Sequence, residues 1–556
     1  MLLLGLIVCL ATVLRVAQMR ESLWLDELHT AWTVADGADK IVPRAHAGNQ
    51  SPAYFWLVWG ESQMLGLSEG TLRLPSIVAG VALVLVFFFV VQRWTDSRSA
   101  ALLAALLAAL DRNCIFYSQE ARPYACVQLV GLGQLLIFWS LLTTPTRWRR
   151  VGFVVSSWVL FYLHYTSALL IAGELLAYLI LAMRPNWRPV YRPTQLVLDL
   201  GTWLLGCLPA LPHLVEIAAR RTNWELFIPR QPLWGVWTIF PLTRYLVLPA
   251  AICGAAWGWR VLRTGREMTS AFALPPLTPT LSPEYRGEGV ILRPCLGRRS
   301  AAVRPVDDSR CCIGNRGAPP VLSWDLRNLI LVLAWLFVPL LLAWGCTYFD
   351  IARLFFLRYV IGAAVAPIGF TCLCFAACPG RRSRLATAAA VTITVVWQGG
   401  MIDQFRYDGR ILGDRNQDWR AAVAALNFHL RPLQLPVFVR SGLIEADALG
   451  TRPEPWLREY CLLPVTGIYR VTGDSRDLTP LPTSRTGKLG EADRQRILAA
   501  GGAWFVVLGR PESVLRISQD LLSGWGRRRP EIRRESFGDV ALLQLTLEPK
   551  PMESGR

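Results

Sequence analysis

Long apolar runs separated by short polar connections fill the first 400 positions of this 556-residue chain. An α-helix needs roughly 20 mostly apolar residues to cross about 30 Å of hydrocarbon. On that measure the pattern predicts spans over 2–18, 74–91, 102–116, 127–142, 151–163, 169–181, 196–211, 245–259, 326–344, 360–376 and 385–397, about eleven in all. The first run lacks a basic leading region and a small-residue cleavage site, so it reads as a retained helix rather than a signal peptide. The stretch Ser51-Pro52-Ala53-Tyr54-Phe55-Trp56-Leu57-Val58-Trp59-Gly60 is apolar but soon interrupted by Glu61 and Gln63. Its clean part is too short to span, and an aromatic-rich helix of that length is expected along the interface. With 51–60 not crossing, the alternation of spans brings Asp26 and Glu120 out on one face.

Two departures from this pattern divide the chain. From 263 to 323 the composition turns to Pro, Gly and Arg with little periodicity, which predicts a disordered cytoplasmic insertion. Within it, 277–289 resembles translated interspersed genomic repeats. Beyond Gly400 the character becomes that of a water-soluble domain. Helical apolar spacing appears over 419–430, and short strands are predicted at 436–439, 504–508 and 540–545. The expected organisation is therefore an all-α polytopic membrane domain, 1–400, followed by a small C-terminal α/β periplasmic domain, 401–556.

Composition supports this class: 53% of residues are hydrophobic. The net charge of +18 does not signal nucleic acid, because no recognition motif accompanies it. Arginines instead gather in connections between spans, at 93 and 98, at 147, 149 and 150, at 184, 188 and 192, and at 381, 382 and 384. That is the positive-inside pattern, and it orients the N-terminus to the cytoplasm and the C-terminal domain to the periplasm. The cysteines of the membrane domain lie mostly inside apolar runs as small hydrophobes, and only Cys461 falls beyond 400, so no disulfide framework is readable.

Chemistry enters with the stretch Leu23-Trp24-Leu25-Asp26-Glu27, directly after the first span. Desolvating a carboxylate is costly, so an acidic pair at a bilayer edge is either a headgroup anchor or a working group. The predicted outer face also collects His46, Glu120, Arg122, His164, Arg353 and Arg358. A carboxylate there can take a proton from an acceptor hydroxyl while guanidinium groups bind a departing phosphate. Plainer roles compete: Glu120 and Arg122 as a loop ion pair, Arg353 and Arg358 as interfacial anchors, His164 as a satisfied helix end. His46 has no second ligand at metal spacing, so no metal is assigned, and a divalent cation is the single cofactor left open. The residues alone leave two classes standing, an external-face transferase and a polar-lined transporter or lipid-linked-sugar flippase.

Several strings narrow this. Trp24-Leu25-Asp26-Glu27, Gln50-Ser51-Pro52-Ala53-Tyr54-Phe55, Arg73-Leu74-Pro75-Ser76, Tyr117-Ser118-Gln119-Glu120-Ala121-Arg122-Pro123-Tyr124 and Leu357-Arg358-Tyr359 resemble a bacterial C-type (GT-C) glycosyltransferase. The likeness is to the family 39-like group of protein O-mannosyltransferases and lipid A aminoarabinose transferases, and it covers about the first 400 residues. The resemblance implies transfer of a sugar from a polyprenyl-phosphate donor to an acceptor hydroxyl at the periplasmic face of the inner membrane, usually with inversion. The acceptor is an unnamed lipid, glycan or protein. It further implies Asp26 as the catalytic carboxylate and Glu120 as a second acid at the site. Glu27, His46, Arg122 and His164 stand in support, and Arg358, Tyr359 and Arg353 lie on the donor phosphate side. Many relatives carry His-Pro-Pro-Leu-Tyr where this chain has Gln50-Ser51-Pro52-Ala53-Tyr54.

The insertion generates a prediction of its own. Excising 276–305 should leave membrane insertion and sugar transfer intact, because re-closing a flexible loop changes its entropy only slightly. Expression, detergent stability and turnover of the deletion variant check this; loss of turnover in a well-folded variant would assign the insertion a function.

Overall fold

The computed structural model describes residues 1–220, 228–271, 326–408, 410, 416–430, 435–450, 455–472, 478–483, 489–525 and 528–549. The segment expected to be a disordered insertion lies, from residue 272 to its end, outside the described residues.

Each of the eleven predicted spans is helical. Seven helices among the described residues are long and apolar enough to cross a bilayer, and two bent pairs raise the number to nine if each pair is one span. The other two, Leu2–Val16 and Arg147–Leu163, have 15 and 17 residues. The chain is thus a multi-pass helical membrane protein. One of its two longest spans, Glu69–Thr95, starts on a Ser68 cap that accepts from the Thr71 N–H (3.2 Å) and ends on Asp96 in the left-handed conformation (φ 50°). The Arg98–Leu110 and Arg112–Ser118 helices meet at a 57° bend. Asp111 caps the second of them through the Cys114 N–H (3.0 Å), and Arg15 donates to the carbonyls of Ala108 (3.0 Å) and Ala109 (3.4 Å). A break at this depth is tolerated because protein groups satisfy the freed backbone.

Between the first two long helices the chain folds into a cap of short helices: Leu25–Val34, Ala38–Lys40, Ile41–Ala47 and Ala53–Leu65. The last is the segment expected to lie along the interface. Its Trp56 and Leu57 are exposed, while Tyr54, Phe55 and Val58 pack inward.

The C-terminal part forms a five-stranded sheet of order β2-β1-β3-β5-β4, with β1 Val437–Arg440, β2 Leu478–Pro480, β3 Gly502–Leu508, β4 Arg528–Phe537 and β5 Val540–Pro549. β1 runs parallel to β2 and β3, and β5 is antiparallel to β3 and β4. Alternation sends Phe438, Phe505, Val507 and Leu543 to one face, under the Glu491–Ala500 and Pro511–Leu521 helices. Val437, Val439, Trp504 and Val506 go to the other. That second layer is continuous with Leu23, Leu28 and Trp32 of the cap, so the sheet shares one of its two cores with the membrane-proximal helices. A domain with a core entirely its own was the simpler expectation. The two strands absent from the sequence reading, β2 and β4, are the sheet's edges. β4 reads Arg-Arg-Pro-Glu-Ile-Arg-Arg-Glu-Ser-Phe, the charged edge that blocks pairing with another chain and hides the alternation signal.

One buried ion pair holds cap to bundle. Arg73 and Glu27 are fully buried and bidentate, Nε to Oε1 at 2.8 Å and Nη2 to Oε2 at 2.6 Å. Arg73 also donates to the carbonyls of Met19 (3.1 Å) and Glu21 (2.8 Å), and Glu27 accepts from the Ala121 N–H (2.8 Å). Removing one partner of a buried pair strands the other and costs about 3–5 kcal/mol. Arg73→Met should therefore lose roughly that stability, while Glu27→Gln combined with Arg73→Met should recover a large part of it. Thermal unfolding of the purified variants in detergent checks this; equal loss in the single and double variants would argue against a stranded charge.

Candidate active site

The N-terminus of the Leu25–Val34 helix sets the first acid. Trp24 is extended, Glu27 reaches back to its N–H (3.4 Å), and the helix dipole favours both carboxylates of the first turn. The two then part. Glu27 turns into the protein toward Arg73, and Asp26 turns into a cavity of about 310 Å³ between the cap, the bundle and the C-terminal layer.

Four hydrogen bonds tie the 119–124 loop to the Leu25–Val34 helix and the Glu69–Thr95 span. Ala121 is held by Glu27, and its carbonyl accepts from Thr30 Oγ1 (2.8 Å). The Arg122 carbonyl accepts from Ser76 Oγ (2.8 Å), which is itself bonded to the Tyr54 hydroxyl (2.9 Å). The Arg122 side chain is thereby aimed at the cavity, with Nη1 3.3 Å from the Asp26 carbonyl. The Leu357-Arg358-Tyr359 string arrives from the start of the Leu357–Val365 turn. Arg358 forms an ion pair with the Asp26 carboxylate and lies over the rings of Trp24 and Phe356, each 5.1 Å from its guanidinium carbon. Both members stay partly open to the cavity, with side chains 27% and 28% exposed.

The electrostatics sort these groups. Burial pushes the Asp26 carboxyl up, but Arg358 and then Arg122 outweigh it and hold it below its usual range. His29, also in the cavity wall, is driven down to about 4 by burial and by Arg122, so it is neutral near pH 7. A neutral ring donates from Nε2 to the Arg44 carbonyl (3.0 Å), which leaves Nδ1 facing Arg122 (3.5 Å). The ring needs Gly48 beside it, because a Cβ there would lie 2.5 Å from its atoms.

Of the residues expected at the site, Asp26, Arg122, Arg358 and Tyr359 line the cavity. Glu120 is buried beside them, close enough for its charge to act on Arg358 and Tyr117, but it is not part of the wall. Glu27 supports the site from within the protein. His164 sits behind Tyr359, ring centroids 5.7 Å apart, bonded through Nδ1 to Thr166 Oγ1 (2.7 Å), and burial and the two arginines lower it to about 4. Two residues lie elsewhere. Arg353 pairs with Asp350 (2.6 Å) outside the cavity. His46 stacks on His213, centroids 3.6 Å apart, and lines a second cavity of about 460 Å³ with Arg44, Glu216, Arg220 and Glu459. Among the described residues no group of three or more His, Cys, Asp or Glu side chains could hold a metal ion.

Sequence reasoning missed part of the wall. Tyr124 and Gln50 stood inside quoted strings without an assigned role. Gln417, Glu445 and Tyr460 come from the C-terminal layer, where no motif marks them.

No family model matches this chain, and no curated protein matches it in sequence. Its fold is similar to ArnT from Cupriavidus metallidurans in the apo state, with a TM-score of 0.51, 12% identity and 97% of each chain covered. The same protein bound to undecaprenyl phosphate gives a TM-score of 0.47 at 12% identity, over 98% of this chain and 97% of that one. The likeness is one of fold: a polytopic helical bundle carrying a C-terminal α/β layer.

The Asp26–Arg358 pair has a pH signature. The folded value of Asp26 lies below the unfolded one, so on acidification the unfolded chain takes up the proton first. The contribution of the pair is complete above the unfolded carboxylate range, about 4, and is lost as pH falls through the folded value. Arg358→Met should remove this acid-linked loss. Unfolding midpoints of both proteins in detergent between neutral and acid pH check it, and parallel curves would show that Arg358 does not set the Asp26 proton affinity.

Proposed function

We propose that this chain is an integral-membrane glycosyltransferase that moves a sugar from a polyprenyl-phosphate donor to an acceptor hydroxyl. The observation that carries the reading is Asp26: a carboxylate facing a cavity with Arg122 and Arg358 beside it. The fold shared with ArnT agrees with it. In the proposed reaction the acceptor oxygen attacks the anomeric carbon of the donor as the bond from that carbon to the phosphate oxygen breaks. The hydroxyl proton goes to Asp26, and polyprenyl phosphate leaves with its negative charge held by guanidinium groups. Single displacement by a positioned base gives inversion.

The ion pair gives the donor a second effect. A phosphate that takes the N–H groups of Arg358 draws away the cation that holds the Asp26 carboxyl down. The carboxylate then becomes a better base when the donor is in place. Arg suits this exchange because its planar fork binds two oxygens of either partner.

The proposed setting is the periplasmic face of the inner membrane, with residues 1–400 as the transferase domain and 401–556 beyond it. The arginine groups at 93 and 98, 147–150, 184–192 and 381–384 flank the helix ends away from Asp26, which supports a cytoplasmic assignment for that end. Glu120 is assigned to holding Arg358 and the loop that carries Arg122.

Asp26→Asn keeps the shape and removes the base. Base catalysis contributes about 10²–10⁴-fold, so turnover of a polyprenyl-phosphate sugar should fall at least about a hundredfold with donor binding largely kept. Arg358→Ala should weaken donor binding and turnover together. Turnover and donor affinity of stable purified variants test both. A stable Asp26→Asn protein with full turnover overturns the assignment, and a wild-type protein that relocates the donor lipid without consuming it is a flippase.

A further inference from the structure

The C-terminal layer carries no recognisable catalytic motif, yet it forms part of the wall of the Asp26 cavity. β1 ends at Arg440, and Gly442, at φ 83°, turns the chain. A Cβ at that glycine would also lie 2.8 Å from Leu508. The turn delivers the Ile444–Gly450 segment to the cavity with Glu445 in its wall.

Glu445 differs from the other acids of the site. Asp26 is paired with Arg358 and Glu27 with Arg73, whereas no cation lies within ion-pair distance of Glu445 among the described residues. It accepts a long hydrogen bond from Asn49 Nδ2 (3.5 Å) and one from its own backbone N–H. Asn49 occupies the left-handed region (φ 56°), an uncommon conformation that persists only where surroundings enforce it, and its Oδ1 accepts from Arg220 Nη1 (3.3 Å). Burial holds the Glu445 carboxyl above its usual range and Asp26 adds to this, while its own backbone N–H and the charge of Arg220 oppose it without outweighing burial. A carboxylate has about four acceptor sites, so Glu445 keeps part of its accepting capacity for the cavity. The same wall carries Gln50, Gln417 and the ring of Tyr460. Gln417 spends its carbonyl on the Leu25 N–H (3.0 Å), which leaves its amide donors for the cavity.

The cavity wall thus offers two chemically distinct sets of groups: guanidinium groups with Asp26, and a carboxylate, amides and an aromatic ring. The first suits a phosphate. The second suits a neutral ring bearing several hydroxyls, since carboxylate and amide groups bind hydroxyls in number and an aromatic face covers the ring's C–H side. We infer that Glu445 binds the acceptor, and that the acceptor is a carbohydrate whose hydroxyls it orients toward Asp26. This inference rests on the glycosyltransferase reading and adds to it the acceptor class and the part of the chain that selects it. Cap and C-terminal layer would then select the acceptor while the bundle binds the donor.

The test uses the full-length protein in lipid nanodiscs loaded with a radiolabelled polyprenyl-phosphate sugar. The probes are a panel of soluble di- and trisaccharides, with Ser- and Thr-containing peptides as the contrasting class. Label should pass to a saccharide. Glu445→Gln should then raise the KM for that saccharide at least tenfold, about the loss expected for a hydrogen bond to a charged group. Its donor affinity and unfolding midpoint should stay at wild-type values, and Glu445→Asp should recover part of the loss. A purely structural role would move the midpoint or donor affinity instead, and would overturn the inference. So would an unchanged saccharide KM in Glu445→Gln, label passing to peptides alone, or donor consumed by water with no saccharide accepted. If the wild-type protein consumes no donor at all, the glycosyltransferase reading itself falls, and this inference with it.

Discussion

The Glu27–Arg73 pair is the constraint on which the site depends. A buried carboxylate and guanidinium are expensive to desolvate, and only dense hydrogen bonding makes them tolerable. Here the bonds run to four separate pieces of chain: the first turn of the Leu25–Val34 helix, the 18–22 turn, the Glu69–Thr95 span and the backbone at Ala121. Such a pair supplies geometry more than net stability. It fixes the rotation of the Leu25–Val34 helix, so that the neighbouring acid, Asp26, points the other way, into the cavity. Adjacent acids of one sequence pair thereby acquire opposite duties.

That division recurs around the cavity. Glu27 and Arg73 are consumed by the protein, whereas Asp26, Arg122 and Arg358 are turned toward the space. Arg122 is steered by its own carbonyl, which Ser76 holds, and Arg358 is placed over Trp24 and Phe356 and against Asp26. Closely spaced opposite charges in a restricted space keep each other ionised, and they exchange partners readily when a third charged group enters. A phosphate-bearing donor is such a group. Glu445 differs in making no ion pair among the described residues and in sharing the wall with amides and an aromatic ring, and this difference distinguishes donor-binding from acceptor-binding groups in the proposed reaction.

The architecture also explains why the C-terminal layer is attached so closely. Tyr469 accepts from the Leu23 N–H (2.9 Å), Glu459 accepts from Trp32 Nε1 (2.8 Å), and Gln417 accepts from the Leu25 N–H (3.0 Å). These bonds clamp both ends of the Leu25–Val34 helix to the layer, and one face of the sheet completes the apolar core beneath it. Asp26 is therefore positioned from one side by the bundle and from the other by the C-terminal layer.

The sequence by itself determined the helices, the class of protein and the first acid. Apolar length is a local property that hydrocarbon enforces, so every predicted span is a helix, and β1, β3 and β5 carry enough alternation to be read. Edge strands β2 and β4 escaped because an edge is selected for charge or brevity and not for alternation. The strings around Asp26, Gln50, Arg73, Glu120 and Arg358 pointed to one neighbourhood, because residues that serve one site keep their chemistry whatever their distance along the chain. Only the tertiary structure decided which acid of the Asp26-Glu27 pair faces the cavity, that Arg358 sits on Asp26, that Arg353 and His46 lie elsewhere, and that Glu445 belongs. Those outcomes depend on rotamers and on the packing of segments hundreds of residues apart, and a lone glutamate in a short turn carries no local pattern that could announce which cavity it will meet.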